Sequence, residues 1–271
     1  MRPTPRRAVL VGVALTATLL TACVPPPSAV VEPPPAPSPP PRQLVVYGDS
    51  LVAESRAAVQ DRVRSAMPGW AVTVRAFPGT AQCDWHGDMR DDLRRLRPDA
   101  VVIAFSGNRL TQCILEDGDG HERAFPDAYG EDAEWAATLW SGAGVPVAFV
   151  GAPPAVGSAA EEVPAVYAQV SLERGLPFVS ADRLFIDPST GVAAMHLGCL
   201  PAEGEPEGCG ADGIRVRHLD GRHLCTVPVM LQACPAYSSG VTRYAATLVA
   251  AAAEAAGVPV DRLPDALPAP A

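Results

Sequence analysis

Ala100-Val101-Val102-Ile103-Ala104-Phe105 is a run of six residues with no polar member. It constrains the fold of this chain more than any other segment. An apolar strand of this kind is buried on both faces, as in a parallel sheet covered by helices. The flanking segments agree. Leu44–Tyr47, Ala71–Phe77, Val145–Val150 and Pro177–Ser180 read as further strands. Between and after them, Ala53–Met67, Asp88–Leu96, Glu131–Trp140, Val163–Arg174 and Gly240–Ala256 read as helices, the first stopped by Pro68-Gly69. Strands alternating with amphipathic helices are the mark of βαβ units. The expected fold is α/β, a flavodoxin-like three-layer α/β/α sandwich on a five-stranded parallel sheet. Glu116–Asp132, acidic and glycine-rich, reads as a loop, and Pro188–Gly213 as a disulfide-held surface excursion.

Chemistry in such folds gathers at the carboxyl ends of the strands. Ser50 follows the first strand in Gly48-Asp49-Ser50-Leu51, Gly79 follows the second, and Asn108, the only asparagine of the chain, follows the third. A serine hydroxyl needs a base and a group to orient that base. Asp220-Gly221-Arg222-His223 supplies both three residues apart, and an imidazole suits proton shuttling near neutral pH.

Serine, glycine, asparagine and histidine in this order resemble the SGNH (GDSL-type) hydrolases, over roughly residues 43 to 235. The resemblance implies the SGNH hydrolase fold and a carboxylic ester hydrolase. Ser50 is then the nucleophile, His223 the base and Asp220 its orienting acid. The oxyanion hole is the amide of Ser50, the amide of Gly79 in Phe77-Pro78-Gly79-Thr80, and the side chain of Asn108. Such donors are aimed before charge develops. No metal or organic cofactor is required. The third block departs from the family's Gly-x-Asn-Asp: the chain reads Ser106-Gly107-Asn108-Arg109, which puts the shape and charge of the pocket in question.

The ends suggest an address. Residues 1–22 have three arginines, Arg2, Arg6 and Arg7, ahead of the apolar run Ala8–Leu20, as in an export signal. Leu20-Thr21-Ala22-Cys23 resembles a bacterial lipobox, which implies lipidation of Cys23 and an anchor on the extracytoplasmic face of the cell membrane. Residues 24 to 41 contain ten prolines, so 23–42 reads as an extended linker. One domain is expected over 43–260, with a frayed tail at 261–271.

Composition narrows the partners. The formal charge of −9 becomes −12 once the three signal arginines are removed, which disfavours nucleic acid. All 21 basic residues are arginine; the absence of lysine excludes a Walker phosphate loop and lysine Schiff-base chemistry. The substrate expected is an acyl ester, small or carried on envelope or extracellular carbohydrate, taken by a monomer.

Beside Cys23 stand six cysteines, an even number that in an exported protein reads as disulfides with 15 pairings open. Sequence proximity favours Cys83–Cys113, Cys199–Cys209 and Cys225–Cys234, each contributing roughly 3 kcal/mol. The competing use is zinc, with His196 or His218, but no Cys-x-x-Cys pair occurs. Trp85 reads equally as a pocket aromatic and as a cover for the disulfide.

Two other functions fit the same residues. SGNH domains with a similar Cys83-Asp84-Trp85 segment also occur on acyltransferases acting on cell-surface glycans. A non-catalytic envelope-binding lipoprotein is the reading that Ser106 and Arg109 motivate.

Overall fold

The computed structural model describes residues 39–117, 119–200, 203, 209–226, 234 and 238–259. The signal read at 1–22, Cys23, the linker up to residue 38 and the tail at 261–271 lie outside the described residues.

The elements alternate as the apolar runs foretell. Strand β1 (Arg42–Gly48) leads into helix α1 (Ser50–Ala66), then β2 (Trp70–Ala76), a one-turn 3-10 helix (Gln82–Trp85) and α2 (His86–Arg95). Next come β3 (Ala100–Ala104), the short α3 (Gln112–Leu115), α4 (Asp127–Gly142), β4 (Val147–Gly151), α5 (Glu162–Arg174) and β5 (Phe178–Ser180). The chain continues through α6 (Asp182–Phe185) and the two-residue strands β6 (His196–Leu197) and β7 (Ile214–Arg215) to α7 (Ser239–Ala255).

The five-stranded sheet has the order β2-β1-β3-β4-β5, and every pair is parallel, with Val46 of β1 level with Val74 and Val102. This is the flavodoxin-like order, with β1 and β3 central. Strand side chains alternate between faces. Leu44, Val46, Val102 and Val150 pack with Val59 and Val63 of α1 and Leu248 and Ala252 of α7. Val45, Tyr47, Ile103 and Phe149 pack with Met89 of α2, Trp140 of α4 and Tyr167 of α5. β3 is buried along its whole length, and each such Val, Leu or Ile side chain gains about 1.5–3 kcal/mol from burial.

Three boundaries depart from the expectations. Helix α1 begins at Ser50 rather than Ala53, because the Asp49 side chain accepts the Leu51 amide and caps it. The expected loop Glu116–Asp132 is helical from Asp127, since Ala128 and Tyr129 are buried and tertiary packing overrides local composition. Within 188–213, His196–Leu197 pairs antiparallel with Ile214–Arg215. The three disulfides are Cys83–Cys113, Cys199–Cys209 and Cys225–Cys234, with Cα separations of 6.0, 6.1 and 5.6 Å.

Candidate active site

The carboxyl ends of β1, β2 and β3 lie side by side, and the candidate residues follow from how each strand ends. β1 closes on Gly48, where any side chain is barred. A Cβ there would lie 2.2 Å from Val52 Cγ2 and 2.6 Å from the Ala104 carbonyl oxygen. Close packing of β1 against β3 and α1 thus leaves the next two residues to make the turn into the helix.

The first of them, Asp49, is fully buried. Its Oδ1 accepts the Leu51 amide at 3.1 Å. Its Oδ2 accepts the Ser106 amide and the Ser106 hydroxyl, each at 2.6 Å, and the Asn108 amide nitrogen at 3.3 Å. Burial pushes this carboxyl above its ordinary range, and the bonds from Ser106 and Leu51 work against that rise. Ser106 is therefore a donor to Asp49 through both its amide and its hydroxyl.

Ser50 opens α1, so its amide belongs to the helix's unpaired N-terminal donors. Its Oγ lies 3.2 Å from His223 Nε2. His223 Nδ1 lies 2.6 Å from Asp220 Oδ2, while Asp220 Oδ1 accepts the amides of Arg222 and His223 at 2.8 and 2.9 Å. Partial burial raises the Asp220 carboxyl, but the His223 ring and these amides outweigh it and hold the group well below the usual carboxylate range. An anionic Asp220 fixes the proton on Nδ1 and leaves Nε2 bare toward the serine.

A second imidazole touches the same acid: His218 Nδ1 is 3.2 Å from Asp220 Oδ2 and 3.3 Å from the Asp220 amide. The loop bearing His223 is also braced from below. Glu54, one turn after Ser50 on α1, accepts the amides of Leu224 and Cys225 through Oε2 at 2.8 and 3.2 Å. Burial raises the Glu54 carboxyl against the pull of those bonds. The fully buried Arg217 donates to the carbonyls of Arg222 and Pro154, and burial pushes its guanidinium down to about 10.

Gly79 has φ +82°, with open space where a Cβ would stand, so the backbone conformation of the Phe77–Thr80 turn is what requires glycine. Asn108 Nδ2 donates to the Thr80 carbonyl at 2.8 Å, and the Cys83–Cys113 bridge links the same two loops. Trp85 is turned inward: its Nε1 donates to Thr80 Oγ1 at 3.0 Å and its ring meets the edge of Tyr47. It braces the Gly79 turn. Arg109 pairs with Glu162 and lies 3.7 Å over the Phe125 ring.

Ser50, His223 and Asp220 thus form one hydrogen-bonded line. Gly79 and Asn108 sit on loops joined through Thr80, and Asp49 ties that pair to the serine turn. Sequence reasoning marked Ser106 only as a departure, not as the partner of Asp49, and missed Asp49, Glu54 and Arg217. The acid immediately before an apolar helix start is an N-cap signal; the others act across the chain and leave no local mark.

No protein-family model and no curated protein matches the chain. Solved structures do. A GDSL-like lipase from Bacteroides thetaiotaomicron shares 15% identity over 79% of this chain and 89% of its own, with a TM-score of 0.51. A Bacteroides fragilis protein classed as an acylhydrolase shares 17% over 81% of this chain and 90% of its own, also at 0.51. A lipase/acylhydrolase from Enterococcus faecalis superposes less closely, at 0.44 with 19% identity over 68% of this chain and 87% of its own. The fold of this chain is the α/β fold of the two Bacteroides structures.

Proposed function

We propose that this chain is an SGNH-type serine esterase that cleaves O-acyl esters through an acyl-enzyme. The observation that carries the reading is the continuous line from Ser50 Oγ to His223 Nε2 at 3.2 Å and from His223 Nδ1 to Asp220 at 2.6 Å. A free hydroxyl is a poor nucleophile, and this line removes its proton as it attacks.

Ser50 Oγ bonds to the ester carbonyl carbon while His223 Nε2 takes the proton. The carbonyl oxygen becomes an oxyanion stabilised by the amides of Ser50 and Gly79 and by Asn108, each donor contributing on the order of 3 kcal/mol. The Asn108 contact with Asp49, at 3.3 Å, is long, and an oxyanion competes with it readily. The imidazolium returns its proton to the departing alcohol oxygen. Water, deprotonated by His223, then releases the acid and regenerates Ser50.

The likeness in fold to GDSL-type lipases supports the same reading. Ser106 and Arg109, which motivated a non-catalytic alternative, have structural partners in Asp49 and Glu162. The sequence of residues 1–42 supports an exported protein, lipidated on Cys23 and held by its linker at the extracytoplasmic face, with 43–260 as the catalytic domain.

The test is p-nitrophenyl acetate turnover by the full chain, oxidised, beside Ser50→Ala. Activity that falls by roughly four orders of magnitude or more in the variant supports the reading. Equal rates in the two proteins, with no fluorophosphonate labelling of Ser50, overturn it.

A further inference from the structure

Two arginines among the described residues are buried, Arg217 at 0% exposure and Arg243 at 4%. Arg243 meets a carboxylate: its Nε and Nη2 each donate to Glu203 at 2.7 Å. The hydrogen bonds of Arg217 go to carbonyls instead. Its Nη1 donates to the Arg222 carbonyl at 2.7 Å and its Nη2 to the Pro154 carbonyl. Its Cζ lies 4.6 Å over the Phe185 ring, and its Nε is buried without a partner. Asp220, Glu161 and Glu54 lie near enough for their charges to favour the cation, and among the described residues it forms no ion pair with any of them. A buried charge without a bonded counter-ion is a cost to folding that a neutral side chain of similar size avoids.

What this cation holds is the peptide that enters His223. The Arg222 carbonyl and the His223 amide are the two ends of one peptide group. Arg217 donates to the carbonyl at 2.7 Å, and the amide donates to Asp220 Oδ1 at 2.9 Å. The other oxygen of that carboxylate lies 2.6 Å from His223 Nδ1, and His223 Nε2 lies 3.2 Å from Ser50 Oγ. Guanidinium, peptide, carboxylate, imidazole and hydroxyl are thus bonded in series. Hydrogen bonds in such a series polarise one another in a low-dielectric interior, so a peptide whose carbonyl is held by a cation is a stronger donor at its N–H.

The second carbonyl that Arg217 holds belongs to the segment after β4, on which the loop of His223 rests. Val156 of that segment donates its amide to the Gly221 carbonyl at 2.9 Å, and a Cβ on Gly221 would lie 3.3 Å from Val156 Cβ. One side chain therefore fixes the loop to its seat and the peptide to the acid.

We propose that Arg217 is a positioning residue for His223, acting through Asp220: it holds the Arg222–His223 peptide in the orientation that bonds the carboxylate, and its charge strengthens that bond. This rests on the assignment of Ser50, His223 and Asp220 given above.

The experiment measures p-nitrophenyl acetate kinetics of the full oxidised chain carrying Arg217→Met or Arg217→Lys, alone and together with Asp220→Ala. Arg217→Met should lower kcat about tenfold or more and leave KM within about twofold, since a buried side chain meets no substrate. Arg217→Lys, which keeps the charge without the fork, should recover part of the loss. In the Asp220→Ala background the loss should shrink by about threefold or more, because the residue acted upon is gone. An equal loss in both backgrounds marks general loosening and overturns the proposal, as does an unchanged kcat or a lysine variant no better than methionine. If Arg217→Met does not fold, the same comparison is made with Arg217→Lys against the parent, and equal losses in the two backgrounds overturn the proposal there. If the parent is no faster than Ser50→Ala, the catalytic reading fails, and amide hydrogen exchange decides the proposal alone. Exchange at His223 about tenfold or more faster in Arg217→Lys, with the β3 amides unchanged, sustains it, and unchanged exchange at His223 overturns it.

Discussion

Asp49 and Ser106, 57 residues apart in sequence, are joined by two hydrogen bonds of 2.6 Å to a single carboxylate oxygen. The pair links the turn that presents Ser50 to the turn that presents Asn108, and neither partner needs to touch substrate. Asp49→Ala removes the shared acceptor of the Ser106 amide and hydroxyl from a fully buried position and uncaps α1. It should cost about 3–5 kcal/mol in denaturant unfolding, whereas Ser106→Ala, which removes one of the bonds, should cost about 1 kcal/mol.

Glu54 sets where His223 stands, through the amides of Leu224 and Cys225. Glu54→Ala should lower kcat about tenfold or more and leave KM nearly unchanged, because the base shifts while the substrate surface stays. Glu54→Gln keeps an acceptor oxygen and should recover most of the loss. Steady-state kinetics on p-nitrophenyl acetate check both.

His218 offers one ring nitrogen to two partners, the Asp220 carboxylate at 3.2 Å and the Asp220 amide at 3.3 Å. The Asp220 amide donates to Nδ1 when the ring proton is on Nε2, and the tautomer with its proton on Nδ1 donates instead to the carboxylate; either bond helps fix the acid that orients His223. His218→Phe should reduce kcat by about tenfold, the worth of one hydrogen bond to a charged group. It should also move the downfield proton resonance of His223 Nδ1–H, which a merely structural role would leave in place.

A second imidazole and carboxylate, His86 and Asp132, lie 3.7 Å apart between α2 and α4. Burial, with Arg90 and Arg123 nearby, pushes His86 down to about 4; burial pushes Asp132 up to about 6 against its bonds with Arg123. Between about pH 4 and 6.5 the folded His86 binds fewer protons than the unfolded one, so its contribution to stability falls on acidification, by up to about 3 kcal/mol. The folded Asp132 binds more, so over about pH 6 to 4 its contribution rises on acidification. His86→Phe, which keeps a ring against Trp135, should gain stability relative to the parent as pH falls from 7 to 4, and Asp132→Asn should lose it. Thermal unfolding at the two pH values reads both signs.

Much of the architecture was legible because it is local. β1 and β3 announce themselves as unbroken apolar runs, and parallel pairing with helices on both faces follows from them. The acid and base are three residues apart in Asp220–His223, so their contact is a matter of one turn. The boundary of α4 was not legible, because Tyr129 is drawn into the helix by burial and by its bond to the Asn108 carbonyl. Glu54 was not legible either. In a helix sequence it is one more polar position, and only the return of the chain 170 residues later supplies its partners.

No strand of the five-stranded sheet and none of α1, α2, α4, α5 and α7 carries a cysteine. The bridges fall outside them, Cys83–Cys113 between the Gly79 and Asn108 loops and Cys225–Cys234 directly after His223. The bridges therefore cross-link loops and leave the strands and long helices without a covalent tie.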